Sequence, residues 1–291
     1  MVTKAITRVH IYLDAIKFEH TIFALPFAYL GMLLAAHGLP SLHQFIWITL
    51  AMVGARSLAL ALNRLIDAEQ DAHNPRTAGR ALPRGLMRPQ EMGGIALAAT
   101  GLLFISAWQL NTLCLALSPV AVGILGGYSF TKRFTWLCHF ILGIADGIAP
   151  IGGWLAVNPT ISPANLLPPL LLGLAVALWV GGFDLIYSCQ DIAFDRANHL
   201  YSIPACFGSR VALRLSAFMH AGTIGLLLTT GIVLHLMWIY WVGLTVTAVL
   251  IVYEHYLVDP HDFSRLHVAF FNINGYIAVV VFAFTAAAIF I

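Results

Sequence analysis

Apolar residues in this chain gather into long runs, and the polar residues fall in clusters between them. A helix needs about 20 apolar residues to cross a bilayer. Runs of that order cover 20–38, 45–64, 92–110, 112–130, 136–156, 165–187, 211–234, 236–258 and 266–290. Several are parted only by short turns, such as Asn111-Thr112 and the region of His235. The pattern predicts an all-α integral membrane protein, a single domain over 1–291 with nine transmembrane helices. The first 19 residues differ. Ile6, Val9, Leu13 and Ile16 recur at helical spacing among Lys4, Arg8, Asp14, Lys17 and Glu19. That is the pattern of an amphipathic helix on the membrane surface leading into the first span, and not of a cleaved signal peptide.

Charge placement orients the bundle. With the N-terminus cytoplasmic, the inner segments hold Lys4, Arg8 and Lys17; Arg64, Arg76, Arg80, Arg84 and Arg88; Lys132 and Arg133; Arg196, Arg210 and Arg214; and Arg265. The outer connections (39–44, 111, 157–164, 235 and the C-terminus) hold no Lys or Arg, and only Arg56 lies within a span. So 14 of the 15 basic residues fall on one side, as expected for cytoplasmic loops. The expected location is the cytoplasmic (inner) membrane, with chemistry facing the cytoplasm. Composition agrees: of 291 residues, 60% are hydrophobic and 10% charged, and mean hydropathy is +0.85. Too little charge remains to coat a water-soluble globule. A soluble enzyme, a disordered chain, a coiled coil and a nucleic-acid binder are excluded. The four cysteines (Cys114, Cys138, Cys189, Cys206) lack C-x-x-C spacing and read as small apolar fillers. The twelve histidines form no H-x-x-x-H pair, so nothing supports haem or zinc.

Two inner loops, 65–91 and 188–210, carry most of the polar residues and are the expected active-site loops. In the first, Asn63, Asp67 and Asp71 stand at i, i+4, i+8. On a helix this stacks them on one face, each about 6 Å above the last. The second reads Tyr187-Ser-Cys-Gln-Asp191-Ile-Ala-Phe-Asp195, with the same spacing. Asp67 and Asp191 both close an inner span, so the clusters resemble a remnant duplication with two facing carboxylate pairs. Such pairs suit Mg²⁺, a hard cation bound by one or two carboxylates plus substrate phosphate oxygens. The plainer alternative, solvated acids at helix ends, fits one pair better than two matching copies. Arg76 and Arg80 closely follow Asp71, and guanidinium forks match phosphate oxygens. Lys132 and Arg133 stand where they could close the other side of that pocket; positive-inside bias explains them equally well, and it suffices for Arg84 and Arg88.

These motifs resemble the UbiA superfamily of intramembrane prenyltransferases. The first family motif, N-x-x-x-D-x-x-x-D followed by an N-x-R-T-x-x-R-P-like stretch, is matched by Asn63, Asp67 and Asp71, then Asn74, Arg76, Thr77 and Arg80. Arg80-Ala-Leu-Pro83 replaces the usual Arg-Pro. The second motif, D-x-x-x-D, is matched by Asp191 and Asp195. In the hydroxybenzoate branch a D-x-x-Y precedes it, here Asp184 and Tyr187. Tyr128, Lys132 and Arg133 also resemble that branch. The resemblance runs nearly the whole chain. It implies nine helices around a central cavity open to lipid, Mg²⁺ held through a polyprenyl diphosphate, and prenyl transfer to an acceptor. Asp67, Asp71, Asp191 and Asp195 would be the metal ligands. Many members carry lysine after the second motif; here Arg196 and His199 are the candidates for diphosphate contact.

An ionised side chain within a span costs about 2.5–3.5 kcal/mol on insertion scales, so it usually has a partner or a task. Arg56 lies two turns before Asn63 on the same face. It either holds an acceptor carboxylate or pairs with an acid, for which Asp146 is a candidate, with Gly143 and Gly147 permitting close packing. Asp184 would orient the acceptor or hydrogen-bond Tyr187. Glu254 and His255 are expected at the interface, and Trp238, Tyr240 and Trp241 in an outer aromatic belt. The function expected is Mg²⁺-dependent prenylation of a hydroxylated aromatic acid, 4-hydroxybenzoate first, on a quinone pathway. The alternatives are another aromatic acceptor of a menaquinone pathway, or a secondary transporter with an acidic ion site. Membrane lipid is the expected surrounding and nucleic acid is not a partner.

Overall fold

The computed structural model describes residues 11–12, 15, 21–260, 265–266 and 268–291. Among them there is no extended strand. Among the described residues nine long helices follow one another: α1 (Thr21–Ala36), α2 (Leu42–Ile66), α4 (Pro89–Leu110), α5 (Thr112–Thr131), α6 (Cys138–Val157), α7 (Pro163–Ser188), α10 (Ser209–Val233), α11 (Trp238–Leu257) and α12 (Asn274–Phe290). Three short ones lie in the loops: α3 (Ala68–His73), α8 (Ile192–Ala197) and α9 (Ile203–Phe207). Each long helix packs on the next, and α12 returns against α1, so the bundle closes into a ring. The helix α1 also packs along α6.

Seven of the long helices, α2, α4, α5, α6, α7, α10 and α11, are long and apolar enough to cross a membrane. The expected last span is shorter than its apolar run. Helix α1 has 16 described residues and stops at Ala36, ahead of His37 with φ 47°. Helix α12 has 17, because Val268–Ile273 winds as a wider π-helix ahead of it. Turns between spans are closed by side-chain caps. Ser41 accepts from the Gln44 N–H at the start of α2, and Ser162 from Asn165 at the start of α7. Asn111 accepts from Cys114 N–H while its amide donates to the Leu155 carbonyl, so one residue turns the chain and ties it to α6.

The α6–α7 contact positions the site. A Cβ on Gly143 would meet the Ala177 carbonyl, and one on Gly147 the Gly173 carbonyl. Only glycine lets these backbones approach so closely. Helices α7 and α10 are held by a polar ladder. Ser216 Oγ donates to the Gly182 carbonyl (2.7 Å), and Thr223 Oγ1 to that of Ala175 (3.3 Å).

Tyr240 is not in an aromatic belt: it is 4% exposed and its hydroxyl donates to the Leu227 carbonyl at 2.6 Å, whereas Trp238 is 65% exposed. Glu254 does not point out of the bundle. It is fully buried and accepts from Asn274 Nδ2 at 2.8 Å, because α12 folds back over that face of α11. Cys206 is exposed rather than an apolar filler, and all four cysteines are free. The expected surface helix over 1–19 falls mostly outside the described residues. Of it, Ala15 is buried and accepts from Arg64 Nε (3.3 Å), and the Tyr12 hydroxyl donates to Glu91 (3.1 Å).

Candidate active site

The two acidic clusters do not continue straight helices. Asp67 has φ −95° and ψ 7°, and Asp191 has φ −96° and ψ 3°. Each sits at a bend where a long helix gives way to a six-residue helix, α3 or α8. Backbone bonding carries across the first bend, since Asp67 N–H donates to the Asn63 carbonyl (2.9 Å) and Asp71 N–H to that of Asp67 (2.7 Å). The expected stacking therefore survives with a kink. The kink also repeats: Asn74 and Asn198 close α3 and α8 at equivalent positions. The duplication inferred from spacing thus extends to backbone conformation.

Every carboxylate of the two motifs faces a cation. Arg76 clasps Asp191 bidentately, Nε to Oδ1 at 3.1 Å and Nη2 to Oδ2 at 2.7 Å. Its Nη1 donates to the Tyr187 hydroxyl at 3.3 Å, and its guanidinium lies 5.2 Å from that ring's centre. Asn74 adds an amide to Asp191 Oδ1 at 3.3 Å. Arg80 Nη1 donates to Asp71 at 2.6 Å. Lys132 Nζ is 2.8 Å from Asp195, which is fully buried and also accepts from Ser202 Oγ at 2.9 Å. Arg133 lies 3.6 Å from Asp67 and donates to the Ile66 carbonyl. Asn63 Nδ2 donates to Asp67 (2.7 Å) and, at 3.3 Å, to Ser129.

The pairing crosses the duplication. Arg76 of the first loop serves the second motif. Lys132 and Arg133, adjacent in sequence, face opposite ways, one to each motif. These contacts, with Tyr201 N–H donating to the Lys132 carbonyl at 2.7 Å, gather both long loops and the α5–α6 connection at one end of the ring. Burial, and then the Asp71 charge, raises the Asp67 pKa to about 6. Burial pulls the Lys132 pKa down, but the Asp195 carboxylate more than offsets this and leaves it above its ordinary value.

A second polar group lies deeper. Arg56 Nη1 donates to Asp146 Oδ1 at 3.0 Å, joining α2 to α6. Both side chains remain about one quarter exposed. Tyr128 of α5 and Asp184 of α7 lie within electrostatic reach of Asp146. Asp184 does not bond Tyr187. Its Oδ2 lies 2.6 Å from Nδ1 of His139, which no sequence motif marked. One to one and a half turns further in, about 6–8 Å along the helices, Pro150 and Trp179 open onto an apolar cavity shared with Phe27, Leu30, Leu227 and Ile277.

Two expected contacts are not brought to the carboxylates. Arg196 Nε donates to the Ala205 carbonyl at 2.8 Å, bracing α9. His199 is exposed, with φ 54°, and its side chain makes no hydrogen bond among the described residues. Of the other candidates the spacing could not supply, Ser202 and Ser129 are serines in ordinary context, and only the fold sets them against Asp195 and Asn63.

An apolar ring of helices with paired acids and bases at one mouth, a half-buried ion pair deeper in and an apolar cavity beneath it defines an integral membrane protein with a charged site at one end of the bundle. The family model described as "UbiA prenyltransferase family" matches residues 24–276, and the chain belongs to that family. It is 30% identical over 263 residues to a protein of Aliivibrio fischeri (strain ATCC 700601 / ES114) named 4-hydroxybenzoate octaprenyltransferase, covering 90% of each chain. Among solved structures it is similar to the apo form of a UbiA homolog from Aeropyrum pernix K1, with 37% identity and a TM-score of 0.84 over 91% of this chain and 96% of that one. It shares its fold with a UbiA homolog from Archaeoglobus fulgidus bound to DMAPP and Mg²⁺, at 17% identity and a TM-score of 0.69 over 96% and 99%. Family membership sets the transporter alternative aside.

Proposed function

We propose that this protein transfers a polyprenyl group from its diphosphate to a hydroxylated aromatic acid, with 4-hydroxybenzoate the leading acceptor, on a quinone pathway. We place nine helices across the cytoplasmic membrane around a central cavity, as one domain, with the N-terminus and the site facing the cytoplasm. The observation that carries the reading is the set of four acid–cation pairs at one mouth. Diphosphate bound with a divalent ion would offer both partners in exchange: its oxygens would meet Arg76, Arg80, Lys132 and Arg133, and Asp67, Asp71, Asp191 and Asp195 would hold the ion.

The donor set suits Mg²⁺. Asp67, Asp71, Asp191 and Asp195 offer only hard oxygen ligands. Among the described residues no three metal-ligating side chains converge, so an ion here would be shared with substrate oxygens, as Mg²⁺ usually is. When bound, the ion supplies positive charge against the departing diphosphate. The guanidinium groups and Lys132 add fixed positive charge to the same leaving group. The bond between the allylic carbon and the diphosphate oxygen breaks, and its electron pair leaves with the diphosphate. The ring carbon ortho to the phenol hydroxyl then bonds to the allylic carbon, and the ring regains aromaticity by losing a proton. The apolar walls keep water from the allylic cation.

Arg56 stands where it can hold the acceptor carboxylate, with Asp146 as its resting partner. Asp184, Tyr128 and Tyr187 face the acceptor ring, and the apolar walls of the bundle beneath them take the start of the prenyl tail. The test uses membranes carrying the protein, labelled prenyl diphosphate and 4-hydroxybenzoate, with and without Mg²⁺. Prenylated acid that requires Mg²⁺ and is lost in Asp67→Ala and Asp191→Ala is the expected result. Product only with another phenolic acid moves the pathway, and no turnover with any acceptor overturns the reading.

A further inference from the structure

The histidine beside Asp184 is held from both sides. His139 opens α6, is 2% exposed, and lies 2.6 Å from Asp184 Oδ2 through Nδ1. Its other nitrogen, Nε2, accepts a hydrogen bond from the Ile203 backbone N–H at 3.3 Å. An accepting Nε2 carries no proton, so the ring hydrogen sits on Nδ1 and points at the carboxylate. Asp184 is thereby fixed by one oxygen. Its side chain is still 24% exposed, and its other oxygen takes no protein hydrogen bond among the described residues.

The donor to His139 belongs to the loop that serves the diphosphate end. Ile203 follows Ser202, whose hydroxyl donates to Asp195 at 2.9 Å, and Asp195 faces Lys132 at 2.8 Å. A continuous chain therefore runs from Lys132 through Asp195, Ser202, the Ile203 amide and His139 to Asp184. Apart from the peptide bond that joins Ser202 to Ile203, each link is a buried or half-buried hydrogen bond or ion pair. Rotamer freedom is small along it, because His139 cannot swing without abandoning a backbone donor.

We propose that His139 is a positioning residue for prenyl transfer: it sets the orientation of Asp184 toward the aromatic acceptor and ties that orientation to the loop that carries Ser202 against Asp195. It touches no substrate itself. The inference rests on the function proposed above, with Asp184 on the acceptor side. It assigns to α6 a role in acceptor geometry that is separate from diphosphate binding.

Three variants separate the two hydrogen bonds. Asparagine places a side-chain amide near the position of Nδ1 and can still donate to Asp184. Glutamine places an oxygen near Nε2 and can still accept from Ile203. His139→Ala keeps neither. Purified protein in detergent micelles is assayed for kcat and for the KM of each substrate. In His139→Ala we expect a tenfold or greater loss of kcat/KM for 4-hydroxybenzoate with the prenyl diphosphate KM within twofold of wild type. His139→Asn recovers a good part of that loss and His139→Gln does not. In an Asp184→Asn background, His139→Ala then costs less than threefold, since its effect runs through that carboxylate. An undiminished loss in that background, or an equal rise in both KM values, overturns the inference while leaving the proposed function standing. Wild-type protein that prenylates no aromatic acid overturns both. Should His139→Ala fail to fold, the contrast between His139→Asn and His139→Gln decides the matter in the same assay.

Discussion

At the scale of single residues, Arg76 is the most informative. It reaches across the duplication to clasp Asp191 with two parallel bonds and rests on the Tyr187 ring. A lysine cannot reproduce a planar fork or the stacking. Arg76→Lys should therefore raise the KM for prenyl diphosphate about tenfold or more, in line with the ~1.5–3 kcal/mol of a charge-assisted hydrogen bond. Arg196→Ala, which loses only a bond to the Ala205 carbonyl, should leave that KM within about twofold. Steady-state kinetics on the two variants checks the pair, and a larger KM effect at Arg196 would refute the assignment. The contrast also shows what spacing could tell. Both arginines follow an acidic motif in sequence, and nothing local distinguishes the one that reaches a carboxylate from the one that braces a helix. His139 was harder still. A lone histidine at the start of an apolar run carries no pattern, and its task exists only because α7 and α9 arrive beside it.

At the scale of elements, the apolar runs located every long helix but the start of the last to within a few residues, because a span must satisfy its own backbone hydrogen bonds and has no other choice of structure. They could not show that α12 is shortened, since the π-helix ahead of it is mostly apolar and continues the run. Nor could they show the bends at Asp67 and Asp191, where the spacing of four continues through a change in backbone direction. The glycines were more legible. Gly143 and Gly147, suspected of admitting a neighbour, lie against the α7 carbonyls of Ala177 and Gly173. Gly143→Leu forces α6 off α7 and with it His139 off Asp184 and Asp146 off Arg56. Overpacking of this kind costs about 1–3 kcal/mol, so a clear fall in thermal midpoint together with lost transfer is expected. Gly101 in α4 gives the control. A Cβ there meets open space, and Gly101→Ala should hold or raise the midpoint, by about 0.5–1 kcal/mol of helix stability. Equal midpoints for the two variants in a detergent melt would show that the α6–α7 approach is not tight.

At the scale of the whole molecule, the ring brings four carboxylates and four cations to one end and leaves that cluster near neutrality. Each pair is made from different elements: Asp71 with Arg80 within the first loop, Asp191 with Arg76 across the two loops, and Asp195 and Asp67 with the α5–α6 connection. Neutrality has a consequence for binding. A diphosphate arriving alone must pull cations from buried carboxylates and leave those charges unpaired, which is costly in a site such as that of Asp195. A divalent ion arriving alone must displace the same cations and strand them instead. Arriving together, each compensates what the other uncovers, so their binding is coupled and the coupling is reciprocal. Detergent-solubilised protein should accordingly show little rise in thermal midpoint with a prenyl diphosphate in EDTA, and little with Mg²⁺ by itself. The two together should stabilise it by about 2.7 kcal/mol at a ligand concentration 100 times Kd. Asp71→Asn and Asp195→Asn should reduce that joint shift more than His139→Ala does, because His139 lies on the acceptor side. A full shift from prenyl diphosphate in EDTA would mean that the cations bind phosphate without exchange, and that the carboxylates hold them in place throughout rather than handing them over.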